Sequence, residues 1–122
     1  MKKILFIEDD DNLIKSFGDE IKKDGIDFIY ALNGEDGVKM AKKEKVDLIL
    51  LDIILPKKSG FDVLKEIKED ETIKNTPVII LTNLEEEKDI EKALSYGAYT
   101  YLVKANYSLN DIIKKVKEVL EK

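Results

Sequence analysis

The sequence predicts an α/β protein made of five successive β–α units, (βα)5, arranged as a doubly wound parallel sheet of five strands. Two observations carry this expectation. Five short apolar runs rich in Ile, Val and Tyr alternate with longer segments whose apolar residues recur at helical spacing. Within the short runs the apolar residues are consecutive rather than alternating, which marks strands covered on both faces.

The first strand is KILFI (3–7), and the segment after it places Leu13, Ile14, Phe17 and Ile21 on one helical face. Asp10 or Asp11 is the N-cap of this helix, and Gly25 closes it, because glycine takes the left-handed conformation at little cost. The second strand is DFIYA (27–31). The helical pattern over 34–44 is the weakest, with Val38 and Ala41 facing inward. The third strand, DLILL (47–51), precedes a helix carrying Phe61, Leu64 and Ile67. The fourth, PVIIL (77–81), precedes one that turns Ile90, Ala93 and Leu94 inward and ends near Gly97. The fifth, YTYLV (99–103), leads to the clearest helix, with Leu109, Ile112, Ile113, Val116, Val119 and Leu120 inward and Ser108 as N-cap. Right-handed crossovers put helices on both faces of such a sheet. With 122 residues, no linker and no repeat, the chain reads as one domain spanning 1–122.

Composition removes several functions. A formal net charge of -5 argues against nucleic acid and against an anionic membrane surface as partners. Cysteine and histidine are absent, so disulfides, thiolate nucleophiles, Ser-His triads and ordinary zinc sites are excluded. A metal here must use oxygen ligands, which favours a hard cation such as Mg2+ or Ca2+. No apolar run approaches the ~20 residues of a membrane span. The N-terminal MKKILFIEDD is not a signal peptide, since its apolar part is short and runs into acids. A cytoplasmic protein is expected. The dense charge run EEEKDIEK (85–92) reads as a solvated loop and helix face.

The stretch LILLDIILP (48–56) poses the functional question, because a strand built for burial ends on the carboxylate of Asp52. In open parallel sheets, ligands bind at the carboxyl ends of the strands. There the first strand delivers Glu8, Asp9 and Asp10, the third Asp52, the fourth Thr82 and Asn83, and the fifth Lys104. The first and third strands are neighbours in such a sheet, so two or three carboxylates share one crevice. Two carboxylates ~5 Å apart repel by roughly 3 kcal/mol at an effective dielectric of about 20. A divalent cation removes that cost. Taken singly, each residue has an ordinary explanation: a helix cap for Asp9 or Asp10, a turn-former before Pro56 for Asp52, a surface charge for Lys104. Together, at successive strand ends, they do not.

These residues resemble those of the response-regulator receiver domain of two-component signalling. ILFIEDD is similar to the family's first strand with its acidic pair, at Glu8 and Asp9. LILLDIILPKKSG is similar to its D-x-x-[LM]-P-x-x-x-G signature, VIILTN supplies the hydroxyl residue Thr82, and YLVK supplies Lys104 and the switch aromatic Tyr101. The resemblance covers nearly the whole chain. It implies the flavodoxin-like strand order 2-1-3-4-5, and a signalling protein rather than an enzyme acting on other substrates. It implies that Asp52 is the phosphoacceptor, with Lys104 and Thr82 contacting the phosphoryl group. It also implies Mg2+ held by Asp9, by Glu8 through water, by Asp52 and by the backbone carbonyl of Ile54. The implied donor is a histidine kinase or a histidine phosphotransfer protein. The implied output is a protein partner on the face of the fourth helix, fifth strand and fifth helix, reached through a switch of Thr82 and Tyr101. The chain reads as a stand-alone, single-domain receiver with no output domain, a monomer or weak dimer.

The sequence departs from the family pattern in places. Ala105 follows Lys104 where the family usually has proline after a cis bond, so a trans bond is expected. Asn83 stands where a small residue is usual. Ile54 and Leu84 flank the path of attacking water and are apolar, which predicts slow self-hydrolysis of a phosphorylated form. A flavodoxin-type electron carrier is disfavoured because EDDDN would repel the flavin phosphate. A haloacid-dehalogenase-type phosphatase is disfavoured by the placement of Asp52. The main rival is a degenerate receiver, a phosphorylation-independent binding module; against it, no key residue is missing.

Overall fold

The computed structural model describes residues 1–122. Its elements are β1 (Lys3–Ile7), α1 (Asp11–Lys23), β2 (Asp27–Ala31), α2 (Gly34–Lys43), β3 (Leu48–Leu51), α3 (Gly60–Glu69), β4 (Val78–Thr82), α4 (Glu87–Ser95), β5 (Thr100–Val103) and α5 (Leu109–Leu120). A single 3-10 turn, Lys104–Asn106, follows β5. All strands pair in parallel, in the order β2-β1-β3-β4-β5.

The consecutive apolar runs have the reason the sequence suggested. Along β1, Ile4 and Phe6 enter one core cluster and Leu5 and Ile7 the other. Leu48 and Leu50 of β3 divide from Ile49 and Leu51 in the same way, as do Ile79 and Leu81 of β4 from Val78 and Ile80. The first cluster is closed by α1 and α5, and the second by α2, α3 and the one fully covered residue of α4, Ala93. Truncating a fully buried leucine such as Leu50 to alanine costs about 2–5 kcal/mol.

The helix ends follow local chemistry. Asp10 caps α1, its side chain accepting from the backbone N–H groups of Asn12 and Leu13. Ser108 and Asp111 form a capping box on α5. Gly25 and Gly97, just past the ends of α1 and α4, have φ of 75° and 102°.

Some sequence expectations need correction. The third, fourth and fifth strands begin one residue later than predicted, and the fourth extends to Thr82. Pro77 has no N–H for the ladder and contributes only its carbonyl, which accepts from Ile49. Strand β2 is not covered on both faces: it is an edge strand, and Tyr30 is 51% exposed. Leu94, expected to face inward, is 47% exposed.

Candidate functional site

Strand register assembles the site. Ile7 of β1 pairs with Leu51 of β3, so the next residues, Glu8 and Asp52, leave the sheet side by side. The ladder continues one step beyond the strands, with Asp52 N donating to Ile7 O at 3.0 Å and Glu8 N donating to Ala31 O at 3.0 Å. On the far side, Thr82 pairs with Val103, which brings Lys104 to the same rim.

Glu8 is wholly buried, and Asp52 is 4% exposed. Lys104 Nζ donates to Asp52 Oδ2 at 2.8 Å and lies 2.7 Å from Glu8 Oε1. The contact with Glu8 is one of charge, because Oε1 accepts no well-aligned hydrogen bond. The other oxygen, Glu8 Oε2, accepts from the N–H groups of Asp9 and Asp10 at 3.0 and 3.1 Å. Asp52 Oδ1 accepts from Ile54 N at 3.1 Å, so Asp52 does form the local Asx turn that its position before Pro56 suggested.

Electrostatics here are a contest between burial and pairing. Burial pushes the Glu8 carboxyl up to about 6; Lys104 pulls it back and the charge of Asp52 pushes it further up. Burial alone would lower Lys104, but its hydrogen bond with Asp52, its close contact with Glu8 and the charges of both together hold it above the usual lysine value.

Glu8, Asp9 and Asp52 can each offer one carboxylate oxygen, all within 4.8 Å of one another. Three carboxylates against one ammonium leave two negative charges uncompensated, and Glu8 Oε1 is a buried acceptor in want of a donor. A hard divalent cation fits both conditions.

Four of the predicted site residues, Glu8, Asp9, Asp52 and Lys104, are therefore gathered at one rim. Thr82 is fully buried at the end of β4, and its Oγ1 accepts weakly from Leu84 N at 3.5 Å. The hydroxyl of Tyr101 donates to Leu84 O at 2.7 Å. Burial pushes the Tyr101 phenol up to about 12, with the charges of Asp89 and Asp52 adding to it. Asn83 is exposed, and Ile54 is 57% exposed with its N–H turned to Asp52. Every peptide bond is trans, including Lys104–Ala105, and Lys104 reaches both carboxylates from that backbone.

Sequence reasoning missed two positions around Asp52, Lys57 and Gly34, and gave no structural reason for a third, Gly60, the last residue of the D-x-x-[LM]-P-x-x-x-G signature. A Cβ on Gly60 would strike the Asp52 carbonyl, so α3 starts directly against the backbone of Asp52. Lys57 has a left-handed φ of 68°, which a lysine does not announce. Gly34 lies against the same loop; its Asn-Gly dipeptide was the available signal of a special backbone position.

Comparison with known proteins agrees with this geometry. The response regulator receiver domain family matches residues 4–117. The chain is similar to the transcriptional regulatory protein CiaR of Streptococcus pneumoniae, with 38% identity over all of this chain and 53% of that protein. It is 34% identical to the alkaline phosphatase synthesis transcriptional regulatory protein PhoP of Bacillus subtilis, over 99% of this chain and 49% of that one. The chain thus spans about half the length of these regulators. By contrast, it spans 96% of the polar-differentiation response regulator DivK of Brucella anthropi, matching over 98% of its own length at 33% identity. Among solved structures, a two-component response regulator from Clostridium difficile superposes with a TM-score of 0.90 at 30% identity, covering 100% of this chain and 98% of that one. A CheY-like receiver domain protein from Methanospirillum hungatei gives 0.91 at 25% identity, covering 99% and 94%. A family match over nearly the whole chain, and the strand order and strand-end residues found here, lead to one conclusion: this chain belongs to the response regulator receiver domains of two-component signalling.

Proposed function

We propose that residues 1–122 act as a single phosphoacceptor unit, taking a phosphoryl group from a phosphohistidine onto Asp52. The observation that carries the reading is the pairing of a buried strand-end carboxylate, Asp52, with Lys104 beside Glu8 and Asp9. An Asp52 carboxylate oxygen attacks phosphorus; the P–N bond of the donor breaks as the P–O bond forms, and the leaving imidazole takes up a proton. These 122 residues contain no histidine, so the donor histidine lies outside them, and a histidine kinase or histidine phosphotransfer protein would supply it.

Asp9, Asp52 and the Ile54 carbonyl would hold Mg2+, with Glu8 acting through water. When bound, the ion neutralises charge on the acceptor and on the transferring phosphoryl oxygens. Lys104 is already on Asp52, and it would follow the charge to a phosphoryl oxygen once the acyl phosphate forms. Thr82, fully buried beside the site, would donate its hydroxyl to another phosphoryl oxygen. Leu84 is linked to both Thr82 and Tyr101, so a movement of Thr82 would be transmitted to α4 and β5. A downstream protein would read that change on the face made by α4, β5 and α5. Apolar Ile54 and Leu84 cannot orient a water, which supports slow self-hydrolysis; a phosphorylated state lasting only seconds would rule that out.

The test is intact mass after incubation with acetyl phosphate and Mg2+, beside an Asp52→Asn control. One added phosphoryl mass, abolished by EDTA and absent in the control, is the expected result. No gain in the wild-type protein would overturn the reading in favour of a phosphorylation-independent binding module.

A further inference from the structure

The loop that carries Asp52 into α3 contains a strained turn, and a helix from elsewhere in the chain clamps it. Lys58 N donates to Pro56 O at 2.8 Å, and Lys57 between them has a φ of 68°. A hydrogen bond spanning three residues with a positive φ at the centre is the rare, strained form of the γ-turn. Lys57 is the chain's one non-glycine residue with positive φ. Such a conformation persists only where its surroundings impose it.

Two neighbours impose it here. Gly34, the first residue of α2, donates its N–H to the same Pro56 oxygen at 3.3 Å. Gly34 also approaches so closely that a Cβ there would collide with the Lys58 carbonyl and stand 2.8 Å from Lys58 Cβ and 2.9 Å from Val63 Cγ2. From the other side, the Lys58 ammonium pairs with Glu66 of α3. Gly34 is itself fixed by Asn33, whose side chain caps α2 by accepting from Asp36 N at 2.8 Å and donating to Asp36 Oδ2 at 2.9 Å.

The geometry points to Gly34 as a positioning residue for the divalent-cation site. Its missing side chain lets α2 seat on the Pro56–Lys58 turn, and the seated turn fixes the Asp52–Ile54 backbone, where Ile54 N holds Asp52 Oδ1. Gly34 touches neither the carboxylates nor the ion; it acts through the turn. The inference rests on the cation-binding reading of Glu8, Asp9 and Asp52 proposed above.

The experiment measures Mn2+ affinity, as the probe ion alone, together with thermal melting, for the wild-type protein, Gly34→Ala and Gly18→Ala. Gly18→Ala is the control for loss of packing, because its new methyl would sit 2.7 Å from the Phe28 ring, away from the turn. Both variants melt lower. Only Gly34→Ala loses Mn2+ affinity, by about tenfold, the scale seen when groups that orient ligands are disturbed. A folded Gly34→Ala with wild-type affinity overturns the inference. If Gly34→Ala does not fold, Asn33→Ala decides: it loosens the α2 terminus without a clash, and a several-fold weaker Mn2+ affinity supports the clamp while an unchanged one overturns it. Failure of the wild-type protein to bind Mn2+ removes the cation-site reading itself, and the inference with it.

Discussion

Lys104 Nζ lies 2.8 Å from Asp52 Oδ2, although the strands they follow, β5 and β3, are not neighbours in the sheet. The lysine crosses above β4 and meets Glu8 of β1 as well, at 2.7 Å. One ammonium thus compensates two buried carboxylates drawn from two other strands. Replacing it with an apolar side chain leaves those charges facing each other without a partner. Lys104→Met is therefore expected to lower stability by about 3 kcal/mol near neutral pH in EDTA, the usual cost of removing one member of a buried pair. Adding Asp52→Asn should recover part of the loss. Urea denaturation of the two variants checks this; an unchanged midpoint for Lys104→Met would mean that solvent, not the lysine, stabilises the carboxylates.

Glu8 makes stability depend on pH in an unusual direction. Its folded-state value is raised, from 4.5 to about 6, chiefly by burial. Between these values the folded state binds more protons than the unfolded one, so stability falls as pH rises. The contribution is fully present below about pH 4.5 and is lost as pH passes through about 6. Its size is on the order of 2 kcal/mol. Other carboxylates, such as Asp70, whose value is lowered by its bonds to Thr72, pull the opposite way on acidification. The test is therefore the difference between the wild-type protein and Glu8→Gln across this range, in EDTA. The wild type should lose ground to Glu8→Gln as pH rises, and a flat difference would contradict the buried, raised carboxyl.

Lys57 offers a stabilising substitution. A left-handed φ costs an L-residue roughly 1–2 kcal/mol, and glycine takes it without that penalty. Glycine loses more entropy on folding, which offsets part of the gain. Lys57→Gly is expected to raise stability by about 0.5–1 kcal/mol, read as a higher melting temperature. A lower one would show that the exposed lysine side chain makes contacts outweighing its backbone strain.

Much of the fold was legible because β1, β3 and β4 are buried on both faces, so that apart from Lys3 at the start of β1 and Thr82 at the end of β4 their positions are all apolar. The strand-end residues were legible for a related reason: parallel register carries Glu8, Asp52 and Lys104 to one rim once the strands are placed. Leu94 was misjudged because helical spacing tells which residues share a face, not how far that face is covered. In α4 only Ala93 is fully buried, and Leu94 lies at its margin. The exposure of β2 depends on its being an edge, which its own residues do not encode. The turn at Lys57 and its clamp at Gly34 arise from tertiary contact between two loops, and a lysine carries none of the turn signal that glycine or asparagine would.

Leu84 is held from both sides, its N–H directed to Thr82 Oγ1 and its carbonyl accepting from the Tyr101 hydroxyl. The second bond, at 2.7 Å, is much the shorter of the two. With its phenol pushed up to about 12 by burial and by Asp89 and Asp52, Tyr101 remains a neutral donor throughout the ordinary pH range. The bond is consequential because α4 has little else to hold its start: Glu86 provides no side-chain cap. Tyr101→Phe keeps the ring packed against the apolar cluster that Leu84 and Ala98 also border, while deleting the hydroxyl. One such bond is worth about 1 kcal/mol, which corresponds to roughly fivefold in a local opening equilibrium. Hydrogen exchange over residues 84–88 should therefore quicken about fivefold in Tyr101→Phe, with little change in the amides of β1 and β3. Uniform quickening across the sheet would show that the hydroxyl supports the whole fold rather than this loop. No change at 84–88 would show that packing of α4 alone fixes Leu84, and would remove Tyr101 from the path by which Thr82 is proposed to move that helix.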